Sequence, residues 1–391
     1  MRVVSRTVIG VGTFSTSDRM RAYVNAVLDS GRLSYGEFSQ RLEHRFAQLH
    51  NCEFAVLSNS GTSSMQVAIQ ALKTMRGWAD GDEIIVPAIT FVASVNVILH
   101  NNMTPVLVDV ERDYYGINSW QIEQAITQRT RAIMPVHVFG QPCNMVMINN
   151  IAKRHNLAII EDSCECVGVS HFGISVGAWG DVACFSTYVA HILTTGIGGI
   201  ATTNIDDLAI KMRSLVNHGR DGIYISPDDN KTGAAQREVI AKRFSFTSIG
   251  HSYRITELEA ALGLAQIDDL PQIIRMRQAN ANYLTDKLSS LADVIQLPTM
   301  RPYTEHAWMM YPIVLLDRDR DQLTEFLESR GIETRQMLPL TNQPCYAGMW
   351  DERDYPIADW INHSGLYCGC HQDLTHDDLN HIAETLMEYF K

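Results

Sequence analysis

Three short stretches, each following an apolar run, carry the side chains with which this chain could do chemistry. The first, Ser58-Asn59-Ser60-Gly61-Thr62-Ser63-Ser64, is a hydroxyl-rich turn that opens an amphipathic segment. Hydroxyls and free backbone N–H groups at a helix start, aided by the helix dipole, form an anion site suited to phosphate. Plain helix capping would use the same residues. The second, Glu161-Asp162-Ser163-Cys164-Glu165, places Asp162 at the carboxyl end of an apolar run. A carboxylate buried there requires a cationic partner, whereas one at the surface requires none. The third runs from Ser186 to Gly199 and puts a hydroxyl five residues before His191, which is followed by Thr194-Thr195-Gly196 and Gly198-Gly199. An imidazole with a near-neutral pKa can take and return a proton, although an isolated histidine is more commonly a satisfied core or surface residue.

These stretches need a scaffold, and the apolar patterning supplies one. From about residue 53 to 204, seven runs alternate with helix-length amphipathic segments: Phe54 to Leu57, Glu83 to Val86, Pro105 to Val108, Ala132 to Val136, Leu157 to Ile160, Val182 to Phe185 and Gly199 to Thr202. Such βα alternation predicts an α/β fold with a mostly parallel seven-stranded sheet. Ligands of such sheets lie beyond the carboxyl ends of the strands, where the three stretches fall. Residues 221–248 are polar and weakly periodic, which predicts a long excursion of the kind that forms lids. Residues 254–291 read as one long helix. A strand-rich segment near Trp308 to Leu316 opens a smaller α+β C-terminal domain that ends in a helix from Asp377 to Phe390. The expected division is a large domain over 1–250, a connecting helix over 251–291 and a small domain over 292–391.

Composition narrows the function classes. The 391 residues are 46% hydrophobic and 19% charged, ordinary for a globular protein that buries a sizeable core. The formal net charge of -12 argues against nucleic acid as a partner. No apolar stretch approaches the roughly 20 residues of a membrane span, and no secretory signal pattern is visible, so the expected location is the cytoplasm. The eight cysteines are scattered, which predicts reduced and mostly buried thiols. The pairs Cys164/Cys166 and Cys368/Cys370 lack zinc-knuckle spacing, and no metal or iron–sulfur cluster is expected.

Taken together, the stretches resemble the sugar aminotransferases of the DegT/DnrJ/EryC1/StrS family over essentially the whole chain, from Ser30-Gly31-Arg32-Leu33-Ser34-Tyr35-Gly36 to the last helix. The resemblance implies the fold type I (aspartate aminotransferase-like) architecture and a pyridoxal 5'-phosphate or pyridoxamine 5'-phosphate cofactor. It also implies a homodimer with shared active sites. In this family the position of His191 usually holds a lysine that bonds covalently to pyridoxal phosphate. An imidazole cannot form that bond, and no lysine occurs between Lys153 and Lys211. The histidine-bearing branch comprises nucleotide-sugar 3-dehydratases, in which the resemblance makes His191 the general base and the cofactor is held non-covalently.

By the same resemblance, Gly61, Thr62 and Ser186 hold the cofactor phosphate, and Asp162 pairs with the protonated pyridine nitrogen. Phe91 either stacks on the ring or packs in the core. Glu165 occupies a position often acidic in the histidine branch. Asn217-His218-Gly219-Arg220-Asp221 resembles a turn where partner-subunit and substrate contacts gather. In Gly250-His251-Ser252-Tyr253-Arg254, Ser252 replaces an asparagine that reaches the other subunit's phosphate. Glu333 and Arg335 match a motif near the substrate mouth. His371, within Gly365-Leu366-Tyr367-Cys368-Gly369-Cys370-His371-Gln372, resembles the dehydratase form of that segment. Against dehydration, Ile197 stands where both branches usually have glutamate, and Val136-His137-Val138-Phe139-Gly140-Gln141-Pro142 reads like an aminotransferase.

The implied function is 3-dehydration of a nucleotide-linked 4-keto-6-deoxyhexose in deoxysugar and polysaccharide biosynthesis, with L-glutamate regenerating the amine form of the cofactor. The alternatives are a nucleotide-sugar aminotransferase and a catalytically silent cofactor-binding homologue.

Overall fold

The computed structural model describes residues 8–220, 232–242 and 244–391. Seven strands form its central sheet: β1 (Phe54–Ser58), β2 (Glu83–Pro87), β3 (Thr104–Val108), β4 (Thr130–Ile133), β5 (Ala158–Asp162), β6 (Val182–Ser186) and β7 (Gly199–Thr203). Their order is β1-β7-β6-β5-β4-β2-β3. The pairs from β3 through β6 are parallel, while β7 runs antiparallel to both β6 and β1. Period-2 alternation explains why these runs become a two-sided sheet. Ile84, Val86, Ala132, Ala158 and Ile160 join the main core, whereas Ile85, Ile133 and Ile159 pack on the opposite face with Met145, Ile148 and Ile151 of the helix Met145–His155.

On the main-core face lie α1 (Asp18–Ser30), α2 (Glu37–Leu49), α3 (Gly61–Arg76) and α4 (Val92–His100). The N-terminus of α2 is anchored by a distant carboxylate. Buried Glu257 accepts from the N–H groups of Gly36 and Phe38 at 2.8 Å each and of Ser39 at 3.0 Å, and from the Ser39 hydroxyl. These are the orphan donors of a helix start, satisfied from 218 to 221 residues away. Glu257→Ala is expected to cost about 2–4 kcal/mol, seen as a lowered urea midpoint, and an unchanged midpoint would refute this clamp.

Residues 254–291 depart from the single helix that the sequence suggests. Two helices, Glu257–Ile267 and Leu270–Leu288, meet at Asp268-Asp269, with Pro271 in the first turn of the second. Proline lacks the N–H that would continue the ladder and suits a helix start. Within the polar excursion, Gly233–Ala241 is helical, while residues 221–231 and 243 lie outside the described residues. The C-terminal part carries a second, four-stranded antiparallel sheet built from Ile295–Gln296, Tyr311–Leu315, Gly365–Cys368 and Thr334–Gln336. Its core includes Ala281, Leu284 and Leu288 together with Leu379, Ile382 and Leu386 of the final helix, His376–Tyr389. No helix among the described residues is long and apolar enough to cross a membrane. All eight cysteines are free and five are buried.

Candidate active site

A cavity of about 880 Å³ opens beyond the carboxyl ends of β5 and β6. Asp162, the last residue of β5, forms part of its lining. One carboxylate oxygen accepts from the Ser94 hydroxyl at 2.6 Å and the other from the Cys164 N–H at 3.2 Å. The adjacent Glu161 turns to the opposite side of the strand, where it accepts from the N–H groups of Gly177, Trp179 and Gly180. Strand alternation thus separates a structural carboxylate from one that faces the cavity.

The hydroxyl-rich turn forms the N-terminus of α3. Ser60 caps the helix by accepting from the Ser63 N–H at 3.0 Å, which leaves Gly61 and Thr62 on the cavity wall. A Cβ on Gly61 would lie 2.7 Å from Cys164 Sγ and 2.9 Å from Ser186 Cβ, so the close approach of α3 to β5 and β6 requires glycine. Ser186, at the end of β6, lines the same wall.

Between β6 and β7 the chain makes a loop closed at its base. Thr187 and Thr195 share a 2.6 Å hydroxyl bond, and the Thr187 N–H donates to the Gly198 carbonyl at 2.9 Å. Buried Ile192 and Leu193 anchor the loop, and the Gln266 side chain holds both the N–H and the carbonyl of Thr194. His191 is thereby set on the cavity wall, its N–H donating to the Tyr188 carbonyl at 2.9 Å. Its Nδ1 is buried without a hydrogen-bond partner in the protein. Burial, reinforced by the charge of Arg277, holds the imidazole pKa down to about 4, so His191 is neutral through the physiological range. Burial also pushes the Glu165 carboxyl up to about 7; the Phe139 N–H, donating at 2.6 Å, works against the rise and the Asp162 charge adds to it.

Of the residues singled out in the sequence, Gly61, Thr62, Phe91, Asp162, Glu165, Ser186, His191, Glu333 and Arg335 converge on this cavity. Phe91 is 60% exposed there, which fits a wall rather than core packing. Four do not converge within one chain. His371 is fully buried outside the cavity lining. Ser252, His218 and Arg220 gather in a separate patch, where Arg254 donates to Ser252 Oγ at 3.1 Å and contacts His218 Nε2 at 3.2 Å. Sequence reasoning missed Val11, Gly12, Thr13 and Phe14, which form one wall, and Met309, Met310 and Tyr367. The Gly10-Val11-Gly12 spacing was the one local signal for the N-terminal wall.

The donor set fits a phosphorylated pyridine. A buried carboxylate awaits a cation, a helix N-terminus with two nearby hydroxyls suits a phosphate, and an exposed aromatic ring faces the space between them. No lysine is among the described residues that line the cavity.

Residues 15–387 match the model of the DegT/DnrJ/EryC1/StrS aminotransferase family. The chain belongs to this family. One relative is the GDP-perosamine synthase of Caulobacter vibrioides, 35% identical over 371 residues and covering 94% of each chain. Another is the dTDP-4-dehydro-2,6-dideoxy-D-glucose 3-dehydratase of Saccharopolyspora spinosa, 31% identical over 401 residues, covering 97% of this chain and 85% of its own length. Among solved structures, the Escherichia coli GDP-4-keto-6-deoxy-D-mannose-3-dehydratase with bound hydrated PLP aligns with a TM-score of 0.89 at 26% identity, over 97% of this chain and 99% of that one. The family thus includes a synthase and dehydratases that match this chain over nearly its whole length.

Proposed function

We propose that this family member is a 3-dehydratase of a nucleotide-linked 4-keto-6-deoxyhexose, working with pyridoxal or pyridoxamine phosphate. Its relatives are enzymes of nucleotide-sugar metabolism. The observation that carries the finer reading is the imidazole of His191 on a cavity wall whose described lining contains no lysine.

In this reading Asp162 holds the pyridine nitrogen protonated, Gly61, Thr62 and Ser186 hold the phosphate, and Phe91 covers one face of the ring. When bound, the cofactor supplies an electron sink next to the sugar. His191 removes a proton and later returns it, a task for which a non-covalent and uncharged imidazole is suited. Glu165, close to half-protonated at neutral pH, spares the floor beside Asp162 a second full negative charge. Arg335, which pairs with Glu333, offers the cavity a cation for a diphosphate. Ser252, His218 and Arg220 lie outside this chain's own cavity, a placement compatible with service to a second copy in a homodimer. L-glutamate completes the scheme as amino donor.

A sugar aminotransferase is the second reading, favoured by the 35% identity to a perosamine synthase over 94% of the chain. A silent binding protein would have no use for a proton-accepting imidazole facing a complete cofactor set. The deciding experiment is mass spectrometry of products after incubation with pyridoxal phosphate, glutamate and a panel of nucleotide 4-keto-6-deoxyhexoses. The expected product lacks the 3-hydroxyl and forms alongside 2-oxoglutarate. A product that keeps every hydroxyl and gains an amine would replace this proposal with the aminotransferase.

A further inference from the structure

The N-terminal wall of the cavity is built as a pedestal. Ile9 pairs with Ile332 as an isolated bridge, its N–H donating to the Gly331 carbonyl at 2.7 Å and its carbonyl accepting from the Glu333 N–H at 2.9 Å. The Val11 N–H then donates to Glu333 Oε2 at 2.9 Å. Glu333 therefore serves the wall, its two oxygens taken by Val11 and Arg335. Gly12 passes so close to the loop of His191 that an added Cβ would lie 3.3 Å from Ala190 Cα.

Beyond Gly12, the hydroxyls of Thr13 and Ser15 both donate to Asp373 Oδ2 at 2.8 Å. The two bonds clamp the backbone on both sides of Phe14, which lines the cavity beside Thr13 and remains 42% exposed. Holding an apolar ring in water on a clamped backbone is unfavourable unless something flat or apolar covers it. The cavity, at about 880 Å³, is far larger than a phosphorylated pyridine needs, and Arg335 in the same lining supplies a cation.

We propose that Phe14 is a substrate-binding residue, the surface on which the nucleobase of the substrate stacks, with Asp373 as the positioning residue that aims it. This rests on the nucleotide-sugar reading above. Stacking of a base on an aromatic side chain is worth enough to change affinity roughly ten- to a hundred-fold, and it tolerates different bases because each has a π-face.

The test is calorimetric titration of the cofactor-loaded protein with guanosine diphosphate, thymidine diphosphate and inorganic pyrophosphate. Phe14→Ala is expected to weaken both nucleotides by that factor and to leave pyrophosphate unchanged, while Phe14→Trp retains nucleotide affinity. Asp373→Ala is expected to weaken the nucleotides with the ring still present. Phe14 is a surface residue, so the thermal midpoint should not move. Nucleotide affinity unchanged in Phe14→Ala would overturn the role of Phe14 alone. Failure of the unsubstituted protein to bind either nucleotide would overturn the nucleotide-sugar reading together with it.

Discussion

Replacing His191 by asparagine is expected to lower kcat by about 10² to 10⁴-fold, the usual contribution of a positioned general base, while cofactor and substrate still bind. Asparagine approximates the imidazole in size and polarity but cannot accept the proton. The check is steady-state turnover beside an absorbance titration of the cofactor, and loss of cofactor binding in step with kcat would make His191 structural instead. The pH dependence adds a second readout. Because burial and Arg277 depress the imidazole pKa to about 4, the base form is complete above about pH 5 and is lost only as pH falls through 4. From pH 5 to 8, His191 should impose no acid limb on kcat/KM. Glu165 is the cavity group whose raised carboxyl titrates in that range, so any change of cofactor affinity between pH 6 and 8 should be lost in Glu165→Gln. A limb near 6.5 that vanishes in His191→Asn would contradict the lowered imidazole pKa.

The second large effect is expected at Asp162. Asparagine can keep the local hydrogen bonds, its carbonyl accepting from the Cys164 N–H and its amide donating to Ser94 Oγ, which itself contacts Thr90 Oγ1 at 2.7 Å. What disappears is the charge. Removing one member of a buried ion pair costs about 3–5 kcal/mol, so Asp162→Asn should weaken pyridoxamine phosphate binding roughly a hundred- to several-thousand-fold. The apo-protein's thermal midpoint should change little. A cofactor affinity that stays within a few-fold of the unsubstituted protein would remove Asp162 from the ring-nitrogen role. A falling apo midpoint would instead assign it to the strand junction, where its own N–H donates to the Pro135 carbonyl at 2.9 Å.

Much of the architecture was legible because strand signals are local. Runs such as Glu83-Ile84-Ile85-Val86, apolar on both faces and bounded by turns, specify buried parallel strands, and all seven entered one sheet. The helix from 254 to 291 was misread because apolar periodicity continues past Asp268-Asp269, and the break depends on Pro271 at a new helix start. Similarly, β4 stops at Ile133 rather than running on to Val136, with Pro135 interrupting the run and Val136 keeping a single bridge to Asp162.

Residue types and their positions at element ends, namely Asp162 closing β5, Ser186 closing β6, Gly61 opening α3 and His191 in the loop after β6, were determined by the sequence alone, because each follows from a few adjacent residues. Tertiary structure decided what local patterns cannot encode. It brought nine predicted positions to one cavity and left His371, His218, Arg220 and Ser252 out of it. It enclosed His191 Nδ1 and set the imidazole near Arg277, both of which lower its pKa. It also laid residues 11–14 across the mouth through bonds to Glu333 and Asp373, 322 and 358 to 360 residues away in sequence. Contacts of that span are specified by the packing of the whole chain, since neither period nor spacing along the sequence records which distant carboxylate a backbone N–H will meet.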